Sequence, residues 1–289
     1  MKKTLIATAL AGAFLIPVSA VMAEEAAPAS PHTFTANVGL VSDYLFRGIS
    51  QTHGDAALQG GIDYSHSSGF YAGIWGSNIS WVKDWLGEGG TEIDIYGGFR
   101  GAFSGSDFTY DLGLIHYNYP GHGDEIPTFL ANPNTTEVYG AIGYKWLTLK
   151  YSHTVSEHFV GWYGGSAYDK KTRGSGYLEL NAAYDLGDGW GLAGHIGHQK
   201  IEDSVSTAAI KDASYSDWKI GVTKDVGFGV VGLAYSDTNA SGSCSNPPPA
   251  TGASAYCWGK LQTKTPAPAY TGFDDVAEGT WVLSFSKTF

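Results

Sequence analysis

Residues 91–103, TEIDIYGGFRGAF, alternate between apolar and polar side chains along most of their length. Ile93 and Ile95 share one parity, whereas Glu92 and Asp94 share the other. Successive side chains of a β-strand point to opposite faces, so a repeat of two predicts a strand with one apolar and one polar face. We find the same repeat in twelve segments. They are 33–47, 56–65, 70–79, 91–103, 107–118, 136–145, 147–156, 175–186, 190–200, 214–225, 228–237 and 279–289.

Short and long connections alternate between these segments. Turn residues fill the short ones, as at 67–69, 104–106 and 187–189, and the longest connection is 238–278. Of the connections on the long side, only 48–55 is modest. A soluble β-sandwich would also alternate in polarity, but it has no reason to sort its connections by length. The pattern therefore predicts an all-β, closed antiparallel transmembrane β-barrel with short periplasmic turns and long extracellular loops.

The N-terminus is typical of export. Residues 1–23 begin with Lys2 and Lys3 and continue into an apolar stretch that is too short to span a membrane, which predicts a signal peptide. Residues 24–32 are expected to be a disordered lead-in, and residues 33–289 the barrel domain. The predicted location is the outer membrane of a Gram-negative bacterial cell.

The composition supports a strand-rich fold and excludes one class of partner. Glycine accounts for 40 of 289 residues and aromatic residues for 14%, a balance that favours strands and turns over helices. The formal net charge is −11. Binding to nucleic acid needs a basic surface, so we expect no nucleic-acid partner.

Several runs between residues 35 and 120 point to a known family. They include NVG at 37–39, RGISQ at 47–51, GFYAG at 69–73 and YDLG at 110–113. In these runs the chain resembles the TorF family of porins, a proteobacterial outer-membrane β-barrel family. The resemblance implies an outer-membrane barrel that passes small solutes, and it identifies no substrate.

Charged residues on the polar parity are predicted to line the lumen. Ten of them fall in its middle or outer part: Asp43, Arg47, Glu92, Asp94, Asp111, Glu137, Lys150, Glu179, Asp217 and Lys219. They could form salt bridges that fill a narrow interior, or a charged constriction that selects permeants. Twelve strands allow either a narrow pore or a plugged barrel. If the pore is open, the excess of acids predicts a weak cation preference, and 119–135 is the first loop expected to fold inward.

Two cysteines lie in the longest loop. Cys244 and Cys257 are expected to form a disulfide, since the predicted compartment is oxidising, and a pair of free thiols is the alternative.

The final strand has the form of an assembly signal for outer-membrane barrels. Its apolar parity ends on an aromatic C-terminus and comprises Trp281, Leu283, Phe285 and Phe289. Lys287 departs from the apolar residue often found two positions before the end. The partners expected from this strand are the barrel-assembly machinery and outer-membrane lipid.

The sequence contains short motifs typical of catalysis or cofactor binding, but the predicted strands do not place their residues as those functions require. Residues 227–232 have the spacing G-x-G-x-x-G, but a strand follows instead of the helix that a dinucleotide needs. Ser152 and His153 are adjacent on a strand and therefore face opposite sides, and so do His195 and His198. We therefore expect no enzyme activity, no catalytic residue, no cofactor and no metal site.

The sequence therefore predicts passive passage of small hydrophilic solutes through a charged lumen, by a monomer or a trimer. The alternative is a non-conducting outer-membrane barrel whose extracellular loops bind a surface partner. Residues 157–174, with Phe159, Trp162, Tyr163 and Tyr168, would be its contact region.

Overall fold

The computed structural model describes residues 30–121, 131–164, 170–204, 213–242, 244, 254–263 and 269–289. Twelve strands form a closed antiparallel barrel. Within the described ranges, no helix is long and apolar enough to cross a membrane. The predicted signal peptide, and the lead-in up to residue 29, lie outside the described residues.

The barrel strands follow the chain around the wall. They are β1 (His32–Val41), β4 (Ala57–His66), β5 (Phe70–Asn78), β6 (Thr91–Ala102), β7 (Phe108–Asn118), β8 (Thr135–Tyr144), β9 (Leu147–Thr154), β10 (Gly176–Gly187), β11 (Trp190–Lys200), β12 (Tyr215–Asp225), β13 (Val230–Thr238) and β16 (Thr280–Thr288). Each strand pairs with its neighbour in sequence, and β1 pairs with β16 to close the ring. The predicted fold class and the count of twelve are confirmed. We call the two ends of the barrel the short-turn end and the long-loop end.

Two hairpins and a helical segment lie outside the wall. The hairpin of β2 (Leu45–Phe46) and β3 (Ile49–Ser50) follows β1, and the hairpin of β14 (Cys257–Thr263) and β15 (Ala269–Asp275) lies in the longest connection. A single helical segment, α1 (Trp81–Leu86), lies between β5 and β6 and ends at a left-handed Gly87. The sequence pattern had predicted none of these elements.

The first predicted strand, 33–47, is too long. In the structure β1 ends at Val41, which pairs directly with Ala57 at the start of β4. Residues 42–56, which we call the inward segment, leave the wall between these two positions and cross the lumen. The prediction failed because the alternating pattern continues past Val41, although both faces of the segment are enclosed by protein.

The outside of the wall is apolar. Every barrel strand exposes at least one large hydrophobic side chain, such as Leu112 at 61%, Ile95 at 54% and Ile220 at 53%. A continuous apolar surface of this extent far exceeds the patches that soluble monomers expose. Aromatic side chains including Trp146 and Trp190 lie near the short-turn end, as in the interfacial girdles of membrane barrels.

Aromatic side chains from the long connections cover the long-loop end. The Trp85 and Trp258 rings have their centroids 4.7 Å apart, and Trp81 lies 5.1 Å from Tyr119. We call this group the aromatic cap. It brings α1, β14 and the connection after β7 together above the inward segment.

Candidate functional site

The ten predicted lumen residues are distributed over two kinds of element. Eight lie on barrel strands, and Asp43 and Arg47 lie on the inward segment instead of on β1. Arg47 even has a left-handed backbone, with φ of 50°, which no strand would contain. Whether all ten line a conducting path stays a prediction.

Arg47 lies at the tip of the inward segment and reaches the opposite wall. Its Nη2 donates to Oε2 of Glu137 on β8 at 2.6 Å, and its Nη1 donates to Oε1 of Gln199 on β11 at 2.6 Å. The guanidinium carbon also lies 4.4 Å from the ring centre of Tyr177. Burial alone would lower the pKa of Arg47, but the Glu137 carboxylate holds that pKa above its ordinary value. Arg47 is therefore a charged group that is fixed by charge-assisted hydrogen bonds.

The base of the inward segment is tied to itself and to the wall. Ser50 Oγ donates to Asp43 Oδ1 at 2.6 Å, and Thr52 Oγ1 donates to the same oxygen at 3.0 Å. The Tyr44 hydroxyl donates to Glu92 Oε1 on β6 at 3.0 Å. These bonds give the segment a defined conformation across the barrel.

The polar side chains beneath the aromatic cap are buried. We call the wall residues of this level the outer layer: Glu92, Asp94, Glu137, Gln199 and Asp217, each no more than 4% exposed. Neither carboxylate oxygen of Asp94 has a hydrogen-bond partner among the described residues. A buried carboxylate without a partner is costly, and a bound water or ion is the usual explanation.

A second level of polar side chains keeps contact with solvent. We call it the inner layer: Arg100, Lys150, Glu179, Asn181 and His195, all partly exposed. Lys150 Nζ lies 3.8 Å from Glu179 Oε1, and the two side chains are 17% and 15% exposed. Asn181 Nδ2 donates to Glu179 Oε2 at 2.7 Å. These loosely paired charges belong to a wet region of the lumen.

His195 connects the two layers and was missed by the sequence analysis as a lumen residue. Its Nε2 lies 2.9 Å from Asp217 Oδ2, and its Nδ1 lies 2.7 Å from Asn181 Oδ1. The Tyr177 hydroxyl donates to the other Asp217 oxygen at 2.8 Å. The alternation does place His195 and His198 on opposite faces, as expected. The sequence did contain a signal for this position, because His195 has the parity of the polar, inward-facing side of β11.

A tyrosine ring lies flat against a glycine in the wall between β7 and β8. A Cβ at Gly113 would lie 2.6 Å from the Tyr139 ring, so only glycine leaves room for the ring there. The Tyr139 hydroxyl bonds to that of Tyr71, which in turn donates to Asp111 at 2.6 Å. Such packing keeps a large ring along the wall and out of the centre of the lumen.

A small, partly open space lies beside the inward segment. It has a volume of about 50 Å³ and is bordered by Asp43, Gln59 and Lys219. The strands β1, β12, β13 and β16 contribute several small residues to its wall: Gly39, Gly221, Gly232, Ala234 and Ser284. A water needs only ~10–15 Å³ by this measure, so the space holds a few waters.

Among the residues that the structure describes, no three His, Cys, Asp or Glu side chains meet as metal ligands. Residues 122–130 of the loop expected to fold inward, and Tyr168 of the predicted contact region, fall outside the described ranges. Of that contact region, the Phe159 ring lies 5.5 Å from the Arg47 guanidinium, and Trp162 packs against Tyr256 in the aromatic cap.

The remaining predicted sites lie on the periphery. Cys244 and Cys257 are joined in a disulfide at the start of β14. In the predicted assembly signal, Trp281, Leu283 and Phe289 are exposed on the outer face. The Phe285 ring is partly covered by that of Phe228.

Structure comparison returns porins and channels with weak similarity. The KdgM porin is 6% identical, with a TM-score of 0.47 over 88% of this chain and 99% of that one. The NanC porin is 10% identical, with a TM-score of 0.45 over 88% and 98%. The COG4313 outer membrane channel from Pseudomonas putida F1 is 10% identical, with a TM-score of 0.43 over 93% and 99%.

Sequence comparison is more decisive. No curated protein matches the chain. A family model described as "Bacterial protein of unknown function (Gcw_chp)" matches residues 25–289. The resemblance to the TorF family by name stays a prediction. Because the match covers the whole barrel, the chain belongs to the Gcw_chp family.

Proposed function

We propose that this protein is an outer-membrane barrel that gives small hydrophilic solutes passive passage through its charged lumen. One observation carries the proposal: an apolar exterior on all twelve strands surrounds an interior of charged side chains, of which the inner layer is reached by solvent. Lipid favours the first surface, and a hydrated solute favours the second. Such passage needs neither a catalytic residue nor a cofactor.

The solutes are small because the barrel is narrow. Eight strands leave room only for side chains, and sixteen to eighteen leave an open aqueous channel, so twelve strands fall between these limits. The inward segment narrows the outer part of the lumen further.

We also propose a weak preference for cations. Seven of the ten predicted lumen residues are acidic, and Arg47 and Lys150 are each matched by a nearby carboxylate. The remaining field is negative, which attracts cations into a confined aqueous path.

Liposome swelling and bilayer recording test both statements. Purified, folded barrel in liposomes should admit glycerol and glycine faster than a disaccharide, with heat-denatured protein as the control. Under a KCl gradient, the reversal potential should have the sign of a cation-preferring pore. If folded protein admits none of these solutes, passage is disproved. An anion-preferring reversal potential would disprove the charge preference alone.

The second candidate function is a non-conducting barrel that binds a surface partner through its outer loops. The aromatic cap favours it, because Trp81, Trp85 and Trp258 close the long-loop end. Absence of solute entry in the swelling assay, together with a barrel that remains folded, would favour this alternative.

A further inference from the structure

We infer that the inward segment is an internal plug that sets the width of the lumen, and that Arg47 is the positioning residue that holds it in place. This inference rests on the proposed function, since it identifies what limits the solute.

Apart from Ser42, which still bonds to Leu283 of β16, the inward segment is not part of the barrel wall. Val41 and Ala57 are already paired across β1 and β4, so the wall is continuous without the fifteen residues between them. Within the segment, Tyr44 is 2% exposed and Ile49 is 3% exposed. A surface loop would expose such side chains, so the burial shows that the segment is enclosed by the barrel.

The tip is held by strands from the opposite side of the barrel. The Arg47 side chain bonds to β8 and β11 through Glu137 and Gln199, as described above. The Tyr215 hydroxyl of β12 donates to the Arg47 backbone carbonyl at 2.9 Å. Since β1 and β8 lie on different sides of the ring, a segment that starts at β1 can make these contacts only by crossing the lumen.

The fit at the tip requires glycine. Gly48 has φ of +81°, and a Cβ there would lie 2.7 Å from Thr238 Cγ2 and 2.8 Å from Asp217 Cβ. The tip is thus in direct contact with β12 and β13 as well. Contact with four strands of the wall fixes the position of the segment.

One space of about 50 Å³ lies beside the inward segment, next to residues of β1, β12, β13 and β16. Fifteen residues that cross the lumen occupy space that a passing solute would otherwise use. The segment therefore sets the size limit, and the contacts of Arg47 determine how firmly it does so.

The main test removes the segment without breaking the wall. Because Val41 and Ala57 are directly paired, residues 42–56 can be replaced by Asn-Gly, which favours a two-residue hairpin turn. A milder double variant, Arg47→Met with Glu137→Gln, removes the ion pair between Arg47 and Glu137 without leaving a buried charge unpaired. We call it the latch variant. The matched control is Lys171→Met with Glu157→Gln, an ion pair on the outside whose side chains are 60% and 62% exposed.

Single-channel conductance in KCl and disaccharide entry into liposomes are the readouts. Heat-dependent gel migration checks that each barrel is folded. We expect conductance to rise several-fold in the shortened barrel and by less in the latch variant, and to stay unchanged in the control. The shortened barrel should also admit the disaccharide.

The outcomes separate the inference from the proposed function. A folded shortened barrel that conducts no better than the native protein overturns the inference, whether or not the native protein conducts. A silent native barrel beside a conducting shortened one supports the plug, and it contradicts passage through the native protein.

Discussion

The outer and inner layers of the lumen both contain a pair of opposite charges, but the two pairs have different roles. In the outer layer, Arg47 and Glu137 lie 2.6 Å apart with side chains 8% and 0% exposed. In the inner layer, Lys150 and Glu179 lie 3.8 Å apart and remain in contact with solvent. The buried, bidentate pair holds the inward segment in place, whereas the solvent-exposed, longer pair contributes mainly to the electrostatic field in the lumen. The comparison shows that a charged side chain in a barrel interior can hold a segment in place as well as contribute to the field in the lumen.

The largest effect should appear in the free energy of unfolding when one acidic side chain is removed from either layer. Glu137→Gln leaves Arg47 buried without its counter-charge, so we expect the free energy of unfolding to fall by about 3 kcal/mol. Glu179→Gln should cost about 1 kcal/mol, because solvent screens Lys150. Urea-induced unfolding of the lipid-embedded barrel measures both. Equal losses would remove the distinction between the layers.

The rate of thiol labelling should also distinguish the two layers. The only two cysteines of the chain form a disulfide, so an introduced thiol is observed alone. Thr154→Cys replaces a fully buried side chain beside Glu137, and Thr223→Cys replaces a partly exposed one near the short-turn end. If reagent reaches residue 154 only by a local opening of about 3 kcal/mol, its labelling is about 100-fold slower. If a charged thiosulfonate labels residues 154 and 223 at similar rates, the outer layer is not shielded from water.

The smallest effect concerns the tip of the inward segment. Gly48→Ala adds a methyl group against Thr238 and Asp217, whereas Gly105→Ala, in a short turn with φ of +72°, meets no atom within 4 Å. Both substitutions strain a left-handed backbone, so their difference isolates the packing. We expect Gly48→Ala to cost about 1 kcal/mol more in free energy of unfolding. Equal costs would show that the tip is not held against the wall.

The wall of the barrel could be predicted from sequence because period two is a local property. Residues 91–103 alone show which side chains face lipid, and the structure places Glu92 and Asp94 inside and Ile95 outside. Turn residues such as those at 67–69 then mark where strands end. These signals need no knowledge of distant residues.

The contents of the lumen could not be predicted in the same way. Residues 42–47 continue the alternation of β1, but their conformation is decided by Glu137, Gln199 and Tyr215, which are remote in sequence. For the same reason His195 was not predicted as a lumen residue. Its partners Asp217 and Asn181 meet it only through the register of β10, β11 and β12.

The direct pairing of Val41 with Ala57 has a consequence for how the protein can change. The barrel wall and the segment inside it are encoded by separate stretches of the gene, because the pairing of β1 with β4 is complete without the residues between Val41 and Ala57. If the barrel conducts as proposed, an exchange confined to residues 42–56 would change which molecules enter the cell and would leave the lipid-facing surface of the wall unchanged.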